Sequence, residues 1–135
     1  MSDIKSDRRY TKDHEWAKLE GEELVIGITA FAVEQLGDIT LVNIDVAPGD
    51  DVEAGKPFGT VESVKTLADL YAPVSGKVAR INDKLEEEPE LVNDDCYDGA
   101  WLVAIVPSDT GVVESLLDAS AYEALLAAEV ENPGH

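Results

Sequence analysis

Few residues of this chain can do chemistry, and one of them has an unusual place. In "ESVKTLADLYAPVSGKV", residues 62–78, Val64-Lys65-Thr66 joins two apolar, strand-like runs, so the chain must reverse there. No Gly, Pro, Asn or Asp stands at the reversal point, although these residues make tight turns easiest. A lysine stands there instead. On an exposed strand, lysine serves to discourage edge-to-edge pairing. A lysine amine can also be acylated and so carry a foreign group. The missing turn residues favour the second use, because local preference gives way where function overrides it. The flanks Thr60-Val61 and Leu70-Tyr71 alternate well enough to hold a rigid hairpin and present the tip reproducibly.

The remaining catalytic equipment is sparse. The two histidines are His14 and the terminal His135. His14-Glu15 begins like a zinc-protease helix, but Lys18 occupies the position of the second histidine, so the motif fails. No Cys or His cluster has metal-ligand spacing, and no glycine-rich phosphate loop occurs. The single cysteine, Cys96, cannot form an internal disulfide. Asp94, Asp95 and Asp98 surround it, and negative charge quiets a thiolate, so Cys96 is expected to be structural or superficial. As an enzyme in isolation the chain is expected to be inert.

Composition narrows the partners. With 29 acidic and 10 basic residues the net charge is −19, which repels phosphate backbones and anionic membranes. Neither nucleic acid nor membrane is therefore expected. The same charge can steer the protein toward basic docking patches. No apolar run approaches membrane-spanning length, and the polar start Met1-Ser2-Asp3-Ile4-Lys5 is neither a signal peptide nor an Arg-rich transit sequence. A cytoplasmic protein is expected, or a processed mitochondrial form. A length of 135 residues suits one domain, residues 1–135.

The elements that must hold Lys65 read mainly as strands. Residues 1–13 are polar, and 1–9 are expected to be loose. Glu15–Leu19 and Leu24–Ile28 flank the turn Glu20-Gly21-Glu22-Glu23 as a hairpin. Thr29 to Leu36 predicts a short helix, capped by Thr29 and ended by Gly37. Ile39–Val46 alternates as a half-buried strand, and Pro48-Gly49-Asp50 turns the chain. Strands follow at Phe58–Val64, Leu67–Ala72 and Gly76–Ile81, then an acidic loop over 82–90. Ala100–Val106 is almost wholly apolar, a strand buried on both faces. Val112, Val113, Leu116 and Leu117 suggest a short helix. Ser120-Ala-Tyr-Glu123 then opens a C-terminal helix as a capping box, with Tyr122, Leu125, Leu126 and Val130 on one face. Short strands with helices at the edges predict a sandwich or barrel. Pro48-Gly49-Asp50-Asp51-Val52 and Pro73-Val74-Ser75-Gly76-Lys77-Val78 faintly echo each other, as two halves related by a pseudo-twofold would.

Three segments resemble a known family. "FGTVESVKTLADLYAPVSGKV" is similar to the lipoylation site of the glycine cleavage system H proteins. "DHEWAKLEGEELVIGITAFAVEQLGDITLVNI" and "ELVNDDCYDGAWLVAIVPSD" resemble the family's other segments, in the same order, over residues 13–109. Departures are small. Cys96 stands where proline is usual, Lys77 where glutamate is common, and Leu67-Ala68 where a more polar pair is usual.

The resemblance implies a barrel-sandwich hybrid, mainly β, with a short N-terminal helix and a C-terminal helix. It implies lipoic acid in amide linkage to Lys65, which would take the net charge from −19 to −20. Glu15 and Asp69 would line a cleft that holds the arm. The implied protein is a non-catalytic carrier. It takes an aminomethyl group from glycine decarboxylase (P protein) to aminomethyltransferase (T protein), and electrons to dihydrolipoyl dehydrogenase (L protein). A lipoate ligase or a lipoyl/octanoyl transferase would load it. Tethering raises the effective concentration of the labile group at each enzyme. A monomer is expected, since a carrier must leave each enzyme after use. Biotin carriers usually set their lysine between methionines, which Val64 and Thr66 are not. Lipoyl domains of 2-oxoacid dehydrogenases lack the His-Glu-Trp segment and the C-terminal helix. An H-like paralogue acting in lipoate relay, a lipoyl domain of a 2-oxoacid dehydrogenase, or a binding module never modified stays open.

Overall fold

The structure, a computed structural model, describes residues 7–97 and 99–131, without the side chains of residues 110, 112 and 129–131. Its strands are β1 (Arg9–Tyr10), β2 (Glu15–Glu20), β3 (Glu23–Ile28), β4 (Ile39–Ile44), β5 (Asp51–Val52), β6 (Pro57–Ser63), β7 (Leu67–Tyr71), β8 (Gly76–Ile81) and β9 (Val103–Pro107). Helices are α1 (Ala30–Leu36), the single turns α2 (Lys84–Glu87) and α3 (Leu91–Asp94), and α4 (Ala119–Glu131). A 3-10 helix over Thr110–Ser115 takes the place of the short helix expected before α4.

Six strands pair in the order β1-β2-β3-β9-β8-β5, and three in the order β4-β6-β7. All these pairings are antiparallel. The main core lies between the sheets, where Leu24, Ile26, Ile28, Val103 and Ile105 meet Val42, Phe58, Val61 and Leu70. A second cluster covers the other face of the large sheet, where Tyr10, Trp16, Val25 and Ala104 pack under Tyr122 and Leu126 of α4. β3 and the Val103–Ile105 part of β9 therefore bury both faces, which explains their apolar runs. The strand starts at Val103 rather than Ala100, however, and leaves Val106 40% exposed.

Several local expectations hold. Thr29 caps α1, its side chain accepting from Ala32 N, and Gly37 ends it at φ 81°. The two echoing segments pair with each other, Asp51 against Lys77 and Val52 against Gly76. Other features depart from the sequence reading. β4 does not alternate cleanly: a register shift between Ile39 and Leu41 leaves Leu41 exposed beside buried Val42. The acidic loop over 82–90 is not plain loop, because α2 turns Leu85 fully inward, and just beyond it α3 does the same with Val92. At α4 the cap is Asp118 rather than Ser120, since Asp118 Oδ1 accepts from Ala121 N at 2.8 Å. Val130 and His135 lie outside the described side chains.

Residues 7–9 are not loose either. Arg8 is buried, its guanidinium 4.7 Å from the Trp16 ring centroid and 5.3 Å from that of Tyr97, and Nη1 donates to Tyr97 O at 2.7 Å. Cation–π contact and a charge-assisted hydrogen bond tie this arginine down. The rest of the segment expected to be loose, residues 1–6, lies outside the described residues. Among the described residues no helix is long and apolar enough to cross a membrane.

Candidate functional site

β6 and β7 form a hairpin whose tip is Val64-Lys65. Such two-residue tips usually need positive φ, the reason for their Gly and Asn. Among the described residues only His14 has positive φ without being glycine, so neither Val64 nor Lys65 makes that kind of turn. Ser63 supplies what is missing. Its Oγ accepts from Lys65 N at 3.2 Å and Thr66 N at 3.1 Å, and donates to Thr66 O at 3.2 Å. Ser63 N also donates to Thr66 O at 2.8 Å. One hydroxyl thus spends its donor and both acceptor positions on the reversal. The expectation that the tip lacks turn chemistry is corrected: serine provides it from the preceding position, where weaker serine turns are known.

Lys65 is exposed and makes no ion pair among the described residues. Beside it Val64 and Leu67 are 66% and 59% exposed. The tip is moored at its root. Val64 N donates to Asp38 O at 3.0 Å, at the junction of α1 and β4. A β-carbon placed on Gly37 would lie 3.4 Å from Lys65 Cε and 3.6 Å from Cδ, so the lysine stem rests against a bare glycine. Asn93, on α3, holds that junction from behind: Oδ1 accepts from Ile39 N and Nδ2 donates to Gly37 O, both at 2.9 Å.

The other two expected site residues lie farther along the hairpin. Glu15 opens β2 and is only 2% exposed. Its Oε2 accepts from Tyr71 N at 2.7 Å, while Oε1 has no hydrogen-bond partner among the described residues. Burial pushes its carboxyl up to about 8, partly opposed by the Tyr71 hydrogen bond and aided by nearby Asp13. Asp69 is exposed on β7, and Tyr71 Oη donates to its Oδ2 at 3.5 Å. Tyr71 therefore joins Glu15 to Asp69, one through its backbone and the other through its ring. Neither carboxylate pairs with Lys65, since Tyr71 stands six residues beyond it, roughly 20 Å of extended chain.

A polar chain lies beneath α4. His14 Nδ1 is 2.9 Å from Tyr122 Oη, which is 2.7 Å from Thr29 Oγ1. It ties the strained backbone of His14, at φ 66°, to the cap of α1 and to the C-terminal helix. Cys96 is half-buried at the edge of the second cluster, and its carbonyl accepts from Trp16 Nε1 at 2.8 Å.

This arrangement, an unpaired amine on a rigid hairpin of two facing sheets, fits the comparisons with known proteins. The profile of the family described as glycine cleavage H-protein matches residues 8–129. The chain belongs to the glycine cleavage H-protein family. It is 47% identical over 129 residues to a glycine cleavage system H protein of Halalkalibacterium halodurans, covering 96% of this chain and 100% of that one. To one from Bacillus cereus it is 53% identical over 119 residues, covering 88% and 93%. A crystal structure of a glycine cleavage system H protein from Mycobacterium marinum superposes with a TM-score of 0.83 at 38% identity, covering 92% of this chain and 99% of that one. The H proteins are the lipoyl carriers of the glycine cleavage system, with the barrel-sandwich architecture expected from the sequence.

The residues present fit a lipoyl group. An amide needs an accessible, unpaired amine, and Lys65 has one, with two exposed apolar neighbours to meet an acyl chain. Sequence reasoning singled out Lys65, Glu15 and Asp69 but passed over Ser63, Tyr71, Asn93 and Gly37 as parts of the site. The signal for Ser63 was its place two residues before the lysine, in reach of both tip amides. For Asn93 the sequence held only its place in the Leu-Val-Asn run, because its partners are more than fifty residues away.

Proposed function

We propose that Lys65 is the residue that carries lipoate, through an amide on Nζ, and that the chain itself catalyses nothing. The observation that carries this reading is the exposed, unpaired ammonium on a tip organised by Ser63. When bound, lipoate would supply a disulfide that is reduced as it takes up the aminomethyl group, and a dithiol that can then give up two electrons. The chain's own residues present the attachment point and keep it clear. Ser63 fixes the tip amides, and Val64 and Leu67 offer apolar surface beside the stem. Asp69 leaves an open carboxylate on the side of the hairpin along which a tethered group can lie. Glu15 acts there from below, holding Tyr71 N–H beneath the strand.

In this reading residues 1–135 are one monomeric carrier unit working in the cytoplasm, or in mitochondria after processing. It takes the aminomethyl group from glycine decarboxylase to aminomethyltransferase and electrons to dihydrolipoyl dehydrogenase, and a lipoate ligase or lipoyl/octanoyl transferase loads it. The acidic surface, −19 overall, supports recognition by basic patches on those enzymes. Intact mass spectrometry after expression with lipoate, beside a parallel culture with biotin, tests it. The expected result is one lipoyl group, mapped to Lys65 by peptide sequencing. A biotinyl adduct, or lipoate on another lysine, overturns the assignment.

A further inference from the structure

We infer that Asn93 is a positioning residue for the modification of Lys65, acting through a short backbone strap at Gly37-Asp38-Ile39. Asn93 spans that strap with two hydrogen bonds of 2.9 Å, accepting from Ile39 N and donating to Gly37 O. The strap in turn holds the hairpin twice. Asp38 O accepts from Val64 N at 3.0 Å, and the stem of Lys65 runs against Gly37, whose missing β-carbon leaves the space. Gly37 combines φ 81° with ψ −150°, a backbone region open to glycine alone. Locally the strap is held at its start, where Gly37 N donates to Val33 O at 2.9 Å, and α3 supplies the anchor for Gly37 O and Ile39 N from elsewhere in the chain. Asn93 therefore sets the direction in which the amine leaves the protein without touching it.

The reason such a device matters is entropic. A lysine side chain is rich in rotamers, and an enzyme that must receive the amine gains when part of that freedom is already removed. An enzyme that acylates Nζ works at the tip itself, so it reads this orientation directly. The inference rests on Lys65 being the attachment residue, and its test separates the two.

The test compares the unmodified wild-type protein with Asn93→Ala and Asn93→Asp, and with Asn82→Ala as a matched control. Asn82 is built alike but far from the hairpin, since its Nδ2 donates to Gly99 O and Trp101 O. Three readouts are taken: amide hydrogen exchange at Val64, steady-state lipoylation by a lipoate ligase with lipoate and ATP, and acetylation of Lys65 by a small activated ester. Asn93→Ala is expected to speed Val64 exchange by about tenfold and lower kcat/KM for lipoylation about fivefold, mostly through KM. Acetylation by the small ester, which needs no orientation, stays at the wild-type rate. Asn93→Asp keeps the acceptor for Ile39 N and falls between, and it serves alone should the alanine variant not fold. Asn82→Ala leaves Val64 exchange and KM unchanged at a comparable loss of Tm. Unchanged Val64 exchange and KM in both Asn93 variants overturns the inference, as does an equal shift in Asn82→Ala. Failure of wild type to be modified at Lys65 overturns the attachment assignment instead, and Val64 exchange still decides whether Asn93 holds the strap.

Discussion

The two ends of the β7 strand treat charge in opposite ways. At the tip Lys65 is exposed, unpaired and surrounded by groups whose hydrogen bonds go to the backbone rather than to the amine. At the far end Glu15 is buried, one oxygen fixed by Tyr71 N and the other without a partner among the described residues, its carboxyl raised to about 8. Elsewhere a perturbed buried carboxyl is a reasonable first place to look for chemistry. Here it lies at the end of the strand away from the tip, bound to Tyr71 N. The group assigned to carry the cofactor is instead exposed, because attachment needs access. The position proposed for attachment thus has its stem set against Gly37 while no charged partner holds its amine among the described residues.

The largest expected effect separates the ends completely. Lys65→Ala should abolish lipoylation by intact mass while leaving stability within about 0.5 kcal/mol, as for exposed residues generally. A collapse of the thermal transition would show the tip to be structural and erase the contrast. Next comes Glu15. Its folded pKa lies above the ordinary carboxylate value of 4.5, so between about 4.5 and 8 the folded state holds a proton that the unfolded chain has lost. Stability should accordingly fall as pH rises through that window, by on the order of 3–5 kcal/mol if this group acts alone. Glu15→Gln keeps an acceptor for Tyr71 N and should flatten the slope in denaturant titrations at pH 5, 6.5 and 8. An unaltered slope would mean that Glu15 is already charged at neutral pH.

Tyr122→Phe should cost about 1–3 kcal/mol, because it leaves buried Thr29 and the His14 ring without the hydroxyl between them. Lipoylation should proceed at the wild-type rate, since this chain runs under α4 and away from the tip. The smallest effect belongs to Ser63→Ala, about 1 kcal/mol in urea unfolding. The serine itself is buried, but the amides it accepts from belong to exposed Lys65 and Thr66, where water can take its place. Its mark should appear in faster amide exchange of Lys65 and Thr66. Large destabilisation by Ser63→Ala together with none by Tyr122→Phe would reverse the ranking of the two regions.

Much of this was legible in the chain alone. Thr29 and Gly37 announce the ends of α1, because caps are decided within a few residues by one side-chain bond and one backbone conformation. The apolar run at Val103–Ile105 announces a strand covered on both sides, since only such a place tolerates it. Lys65 stands out because the reversal holds no Gly, Pro, Asn or Asp, a gap that Ser63 fills, and because the surrounding motif belongs to the H-protein family. These signals are local. Each depends on residues that are adjacent along the backbone whatever the rest of the chain does.

Tertiary structure decided the rest, wherever a residue's surroundings come from distant parts of the chain. Glu15 looks like any surface glutamate until Tyr71, fifty-six residues on, covers it. Leu85 looks like a stray apolar residue in an acidic loop until the turn α2 presses it into the core, as α3 does Val92 just beyond the loop. Leu41 is exposed because a bulge moves it off the register its pattern suggests, and Arg8 is buried because two aromatic rings from other segments close on it. Backbone preference travels with the sequence, whereas burial and the shift of a proton's affinity are properties of what packs across a side chain. The place proposed for the cofactor rests on the first kind of information, and the shape that presents it on the second.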